Sequence, residues 1–311
     1  MSTQTALELS KAFDSLKLGK PHKAKNLLED VLPNDLENKD VIFTLKCTNF
    51  WCSIIDHIQN LSDAYQRGEN YLEQWKNFVT FVSNEKDYIS EPALYACKRG
   101  IFSLALESYK SILADNVCSH RQEILSKTGL CLKILGDYET ALHFLNEANA
   151  LMPSTAEILA TMADCYALCG EEKTAKVLFR EAYFIDASKI DDDFLESELI
   201  CRLRRQVEQL GYKGEVLKEW IPVYGVLFGV FTVKRELRAL EVGKLRQSIF
   251  ALENELKEAR SDPSLLIPRL INHYFWLIDH YVTIDSERVK INENLLKIKL
   301  LDPTIYEKYT L

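Results

Sequence analysis

The feature that most constrains this chain is a gapless internal repeat with a period of 34 residues. Residues 122–155, QEILSKTGLCLKILGDYETALHFLNEANALMPST, align with residues 156–189, AEILATMADCYALCGEEKTAKVLFREAYFIDASK. The matching pairs include Glu123/Glu157, Ile124/Ile158, Leu125/Leu159, Cys131/Cys165, Gly136/Gly170, Ala141/Ala175 and Ala148/Ala182. Recurrence of small and apolar residues at this period is typical of stacked helical hairpins.

Composition supports helices over strands. Only 11 glycines and 8 prolines occur among 311 residues, whereas strand-rich folds need many tight turns and the residues that form them. Hydrophobic residues make up 47% and charged residues 27%, which is ordinary for a folded protein and argues against wholesale disorder. We therefore expect an all-α fold.

The two copies resemble the tetratricopeptide repeat (TPR). The positions that carry the resemblance in the first copy are Leu125, Gly129, Gly136, Tyr138, Ala141, Leu145, Ala148 and Pro153. In the second copy they are Leu159, Ala163, Gly170, Ala175, Phe179 and Ala182, while Glu172 and Ala187 depart from the pattern. The resemblance implies a right-handed superhelix of helical hairpins, in which Gly136 and Gly170 end the first helix of each hairpin.

Weaker copies extend the pattern on both sides. Residues 86–119 carry Ala93, Gly100, Phe102, Ala105 and Tyr109 at matching positions, which predicts a hairpin turn near Gly100. Residues 5–85 fit degenerate hairpins, and residues 272–311 fit a terminal one with its turn at Ser286 and its exit at Pro303. We therefore predict TPR-like repeats over 1–189, an atypical helical region over 190–271 and a TPR-like terminal hairpin over 272–311.

The atypical region begins with a predicted helix over 191–211. An apolar, glycine-interrupted segment follows at 220–233, where β-branched and aromatic residues allow a short strand or an irregular packed loop. A long charged helix is predicted over 234–260, and Ser261-Asp262-Pro263 should start the next helix.

The apolar segment has two interpretations. It covers the end of the superhelix as core, or it is an exposed patch for self-association. Under the second interpretation the interface residues are Trp220, Val223, Tyr224, Leu227, Phe228, Phe231, Leu237, Leu245, Ile249 and Leu252. The long helix would then lie across to a second subunit instead of along its own solenoid.

The family resemblance also implies a concave groove that binds a protein partner. The predicted groove residues are Leu94, Cys97, Lys98, Glu123, Ser126, Leu130, Lys133, Ile134, Glu157, Ala160, Asp164, Ala167 and Leu168. This mixture of apolar and acidic positions suits an amphipathic or basic helix or an extended peptide. In the alternative, the protein's own C-terminal helix fills the groove.

Other function classes find little support in the sequence. The net charge of −8 argues against nucleic acid, which demands clustered cations. No nucleotide-binding, hydrolase or metalloprotease motif occurs, and the cysteines lack zinc-site spacing, so we predict no catalytic residues, no cofactor and no metal site. The N-terminus lacks signal-peptide features and no apolar run reaches 18 residues. We thus expect a cytoplasmic protein without membrane insertion.

The leading hypothesis is a non-catalytic interaction scaffold or adaptor. One alternative is a self-assembling structural protein that forms homo-oligomers through residues 220–260. A second alternative is a regulatory subunit or an enzyme whose site is not visible in short motifs, and an apolar pocket with convergent polar groups would favour it.

Overall fold

The computed structural model describes residues 3–114, 120–285 and 288–311. These residues form fifteen α-helices and three short 3-10 turns, with no strand among them. The prediction of an all-α fold is therefore confirmed. The chain divides into two compact units, residues 1–151 and 152–311. This division follows Leu151, four residues before the end of the first copy of the 34-residue repeat.

Unit 1 contains seven helices. They are α1 (Thr3–Lys17), α2 (Pro21–Val31), α3 (Lys39–Gln59), α4 (Ala64–Ser83), α5 (Glu91–Leu113), α6 (Arg121–Ile134) and α7 (Tyr138–Leu151). Side-chain caps fix two of the starts, because Asn38 accepts the amides of Asp40 and Val41 and Asp63 accepts that of Tyr65. Helices α3 and α4 share an aromatic core, in which the rings of Trp51 and Phe78 lie 5.2 Å apart.

A glycine in the left-handed conformation links the paired helices α1–α2 and α6–α7. Gly136 has a φ of 88° and donates to Lys133 O at 2.9 Å, and the next amide, that of Asp137, donates to Leu132 O at 3.0 Å. Gly19 has a φ of 67° and makes the equivalent pair of bonds. This is the Schellman geometry, which satisfies the last carbonyls of a helix and favours glycine because a Cβ is strained at positive φ.

The predicted hairpin at residues 86–119 is wrong. Helix α5 runs without a turn from Glu91 to Leu113, and Gly100 lies inside it. A Cβ built on Gly100 would lie 2.0 Å from the carbonyl oxygen of Leu16, so the glycine permits close contact between α5 and α1. Residues 115–119 of the predicted hairpin lie outside the described residues.

Unit 2 contains eight helices. They are α8 (Ala156–Leu168), α9 (Glu172–Asp186), α10 (Glu198–Gln209), α11 (Gly214–Leu227), α12 (Ala239–Glu255), α13 (Pro263–Thr283), α14 (Arg288–Leu301) and α15 (Pro303–Thr310). Helix α13 is the centre of this unit, because it packs against α11, α12 and α14 and is buried continuously from Leu270 to Tyr281. As predicted, α13 starts directly after Asp262, whose side chain accepts the amide of Ser264.

The atypical region differs from the prediction at three places. The helix predicted from Asp191 begins only at Glu198. Directly before it, the buried carboxylate of Asp164 accepts hydrogen bonds from the amides of Glu196 and Ser197, at 2.9 Å each. These two bonds hold that stretch out of a helical conformation. The apolar segment forms no strand: α11 continues to Leu227, and the amides of Val230 and Phe231 both turn back onto one carbonyl, Gly225 O.

The third difference concerns the long helix predicted over 234–260. It is shorter and spans Ala239–Glu255. The carboxylate of Glu241 accepts the amide of Arg238 at 2.7 Å and pairs with Arg235 at 3.0 Å, which fixes the helix start. In the predicted terminal hairpin, α14 ends at Leu301, two residues before the predicted exit at Pro303, where α15 begins, whereas Ser286 lies outside the described residues.

Candidate partner-binding site

Unit 1 has an apolar groove between α4 and α5, with a volume of about 350 Å³. We call it the α4–α5 groove and define it by its lining residues, Trp75, Phe78, Val79, Val82, Glu91, Leu94, Tyr95 and Lys98. Phe78 and Val82 form a buried floor, whereas Val79 and Tyr95 are 50% and 54% exposed at the walls. Exposed apolar side chains that line one concave surface are typical of an interaction site.

Aromatic packing holds the groove open. The ring of Trp75 lies 5.4 Å from that of Phe78 on α4 and 5.3 Å from that of Phe102 on α5, the latter edge to face. The ring of Trp51 of α3 also contacts that of Phe78, with the ring centres 5.2 Å apart. Because these rings contact one another, the side chains of the floor are fixed before any partner arrives, which lowers the entropic cost of binding.

The predicted groove residues of α5 separate into two sets. Leu94 and Lys98 line the α4–α5 groove. Cys97 is buried and bonds to Cys47 of α3, and this hydrogen bond together with burial raises the pKa of its thiol well above the usual value. The thiol therefore stays protonated and serves packing.

The predicted groove residues of α6 are engaged within unit 1. Glu123 accepts the hydroxyl of Tyr65 at 2.6 Å, and burial together with this bond raises the pKa of that phenol. Lys133 is only 1% exposed, and Ile134 is buried as well. Ser126 and Leu130 are half-buried. Sequence reasoning missed the α4 wall, since the repeat pattern predicted a hairpin within residues 86–119 and so did not pair α5 with α4.

The predicted groove residues of unit 2 lie mostly inside that unit. Ala160 is buried, and Asp164 is occupied by the two amides described above. Ala167 and Leu168 are half-buried, and Glu157 is exposed. The five side chains therefore present no continuous open surface in unit 2.

The predicted self-association residues belong to the core of unit 2. Eight of the ten are buried in its hydrophobic cluster, namely Trp220, Val223, Tyr224, Phe231, Leu237, Leu245, Ile249 and Leu252. Leu227 packs against that cluster, and Phe228 alone of the ten is largely exposed, at 43%. The interpretation of this segment as core agrees with its packing.

This packing leads to an expectation for the oligomeric state. Because the apolar segment is satisfied within one chain, light scattering over a concentration series should give a constant mass near 35.8 kDa. A mass that rises to twice this value as the concentration increases would contradict this expectation. If Phe228→Ser then returned the mass to that of one chain, self-association through the apolar segment would be supported.

A second cavity, of about 370 Å³, lies in unit 2 among α9, α11, α12 and α13, and we call it the polar cavity. Its lining includes Glu219 of α11 and Arg269, Asn272 and His273 of α13. Glu219 and Arg269 form a two-bond ion pair, with Arg269 Nε donating to Glu219 Oε2 at 3.2 Å. His273 donates from Nδ1 to the carbonyl of Arg269 at 2.8 Å.

Burial lowers the pKa of His273 to about 4. Its unfolded value is 6.5, so the folded protein binds fewer protons than the unfolded chain between these two values. Unit 2 should therefore lose stability as the pH falls from 6.5 to 4, by about 3 kcal/mol at most. His273→Gln should flatten this part of the melting-temperature profile, whereas His57→Gln, on an exposed histidine of α3, should leave it unchanged. An unaltered profile for His273→Gln would contradict the assignment.

The described residues offer neither a metal site nor a membrane-spanning helix. Within residues 3–114, 120–285 and 288–311, no group of three His, Cys, Asp or Glu side chains is placed to hold a metal ion. In the same ranges, no helix is both long and apolar enough to cross a bilayer.

No protein-family model matches the chain, and no curated protein matches its sequence.

Proposed function

We propose that this protein is a non-catalytic scaffold of tetratricopeptide-like hairpins that binds an amphipathic helix of a partner protein in the α4–α5 groove. The observation that carries the proposal is the pair of exposed apolar side chains, Val79 and Tyr95, above an aromatic floor that is already packed. An isolated exposed apolar residue has no such meaning, but two that line one groove provide an anchor site.

Local geometry supports the tetratricopeptide resemblance. The turn at Gly170, with a φ of 84°, repeats the two hydrogen bonds of the turn at Gly136 exactly 34 residues later, at 3.0 and 2.8 Å. A Cβ on Gly129 would lie 2.6 Å from Leu145 Cγ, so the small residue allows the close crossing that the family pattern needs. Ala163 is fully buried at the equivalent place in the next copy.

The spacing of the groove residues favours a helical partner. On α4, Trp75, Val79 and Val82 follow one another at steps of four and three residues. On α5, Glu91 and Lys98 lie seven residues apart on either side of Leu94 and Tyr95. A helix that binds such a groove places apolar residues at positions i, i+3 or i+4, and i+7. Its basic residue should lie at the Glu91 end, because Glu91 is exposed there.

The test is a selection from a displayed library of amphipathic helical peptides against the full chain. We expect the enriched peptides to share an apolar stripe of this spacing. Val79→Glu and Tyr95→Glu should each weaken the peptide by at least tenfold, since a charge would be buried against the partner's apolar face. Affinities would be measured by fluorescence anisotropy.

A matched control is Phe250→Glu. It places the same charge on an exposed aromatic residue, but on α12 of unit 2. Binders whose affinity falls equally in all three variants, or in none of them, would contradict a site in the α4–α5 groove.

Cytoplasmic location is part of the same proposal. Seven cysteines lie in the described residues, none of them forms a disulfide, and five are buried. Buried free thiols suit a reducing compartment, because they are used there as small apolar residues.

A further inference from the structure

The polar cavity of unit 2 holds a buried amide without a partner. Asn272 is 3% exposed and lines the cavity, yet its side chain has no hydrogen-bond partner in the part of the chain that the structure describes. Neither its Oδ1 nor its Nδ2 is among the fully enclosed side-chain atoms without a partner, so both face the open space of the cavity, where a water or a ligand can bond to them. The cavity is therefore suited to a guest that hydrogen-bonds to this amide.

Hydrogen-bond acceptors dominate the wall beside Asn272. His273 is neutral and uses Nδ1 to donate to the Arg269 carbonyl, so Nε2 carries a lone pair. Asp186 accepts both bonds from Ser188 through Oδ1, and its Oδ2 has no partner among the described residues. Together with Oδ1 of Asn272, these atoms offer three acceptor sites.

The charge of the wall excludes an anionic guest. Asp186 and Glu219 contribute two carboxylates against the single guanidinium of Arg269. Arg269 already donates hydrogen bonds to both carboxylate oxygens of Glu219. This hydrogen bonding is the largest cause of the raised pKa of Arg269. Lys218, which does not line the cavity, bonds to the carbonyl of Ser188 at 3.3 Å and pairs with Glu215. The lining alone thus carries a net negative charge.

An aromatic side chain completes the cavity. Phe184 lines it, with its ring 5.0 Å from the ring of His273 and 4.6 Å from that of Trp276. The π-face of an aromatic ring attracts cations and also packs against methylene groups. This wall fits the carbon chain next to a positively charged head.

We propose that the polar cavity of unit 2 binds an alkylammonium group. An ammonium head has three N–H donors and no acceptor, which matches three acceptors beside a net negative wall. A free aliphatic amine and a lysine side chain of a partner protein share this chemistry. The inference is independent of the α4–α5 groove, which belongs to the other unit.

The experiment titrates the full chain with n-butylammonium chloride, observed by NMR, against sodium chloride at the same ionic strength. Parallel titrations use 1-pentanol, the neutral analogue of similar length, and N-acetyl-lysine methylamide, which mimics a protein lysine. We expect saturable shifts with the two ammonium probes and none with pentanol. The tighter of the two ammonium probes identifies the source of the group, a free amine or a lysine side chain.

Variants locate the site and test the proposal further. Asn272→Leu and Asp186→Asn should each weaken ammonium binding by at least tenfold. Glu258→Gln, which removes an equal charge from the exposed surface of unit 2, should leave it unchanged. Equal responses to pentanol and butylammonium would overturn the proposal. An unchanged ammonium affinity in Asn272→Leu would also overturn it, provided that the far-UV circular dichroism of this variant matches that of the wild type. The cavity would then hold water only.

Discussion

Asp279→Ala should lower the free energy of unfolding of unit 2 by about 3 to 5 kcal/mol, because it leaves a buried guanidinium without its counter-charge. Asp279 of α13 and Arg180 of α9 are both buried and are bonded to each other. Arg180 also donates to the carbonyl of Val233 at 2.6 Å and lies 4.8 Å from the centre of the Trp276 ring. Lys234 adds a second cation 3.1 Å from Asp279 Oδ1.

Amide hydrogen exchange in peptides of α13 would measure this loss locally, without assuming that both units unfold together. The double variant Arg180→Met/Asp279→Leu should recover most of the lost stability, since removing both charges abolishes the unpaired one. Glu307→Ala, on the exposed surface of α15, should change the free energy of unfolding obtained from the exchange by less than about 0.5 kcal/mol. A loss below about 1 kcal/mol for Asp279→Ala would show that the pair does not hold α9 to α13.

Gly100→Ala should destabilise unit 1 by about 1 to 3 kcal/mol, although helix propensity alone predicts that alanine stabilises this position. Alanine is favoured over glycine inside a helix by about 1 kcal/mol. Here, however, the new Cβ would lie 2.0 Å from the Leu16 carbonyl oxygen and 3.1 Å from the Gly19 amide nitrogen. Backbone atoms cannot rotate away, so α1 must move off α5.

Gly243→Ala is the matched control for this substitution. Gly243 also lies inside a helix, α12, but a Cβ there meets no atom within 4 Å. It should therefore gain about 0.5 to 1 kcal/mol from helix propensity alone. Urea denaturation of both variants, monitored by circular dichroism, would show whether each substitution raises or lowers the free energy of unfolding. A gain in stability for Gly100→Ala would contradict the close contact between α1 and α5.

Two glycines of the repeat pattern show how far the sequence alone predicts the structure. Gly136 and Gly100 both fit the repeat pattern, but one ends a helix at positive φ and the other permits close packing inside a helix. Sequence alone does not distinguish these two uses of glycine, because the neighbouring residues do not indicate which of the two roles a glycine has. In the same way, the sequence does not pair Asp279 with Arg180, because the two residues are 99 positions apart in the chain.

The helices themselves could largely be predicted, since each follows from apolar periodicity and capping residues. The apolar segment at 220–233 could not, because β-branched and aromatic residues suit a strand and a buried helix alike. The α4 wall of the groove and the unpartnered Asn272 also required the structure. Both depend on which helices pack together, and the 34-residue period does not specify this.

The most direct test of the central claim is hydrogen exchange of the full chain with and without a library-selected helical peptide. We expect slower exchange in the peptides that cover the second half of α4 and the first half of α5, the two walls of the α4–α5 groove. Exchange elsewhere in the chain should stay unchanged, and Tyr95→Glu should abolish the protection. Protection confined to α8–α15 of unit 2, or to α6, would contradict the proposed site.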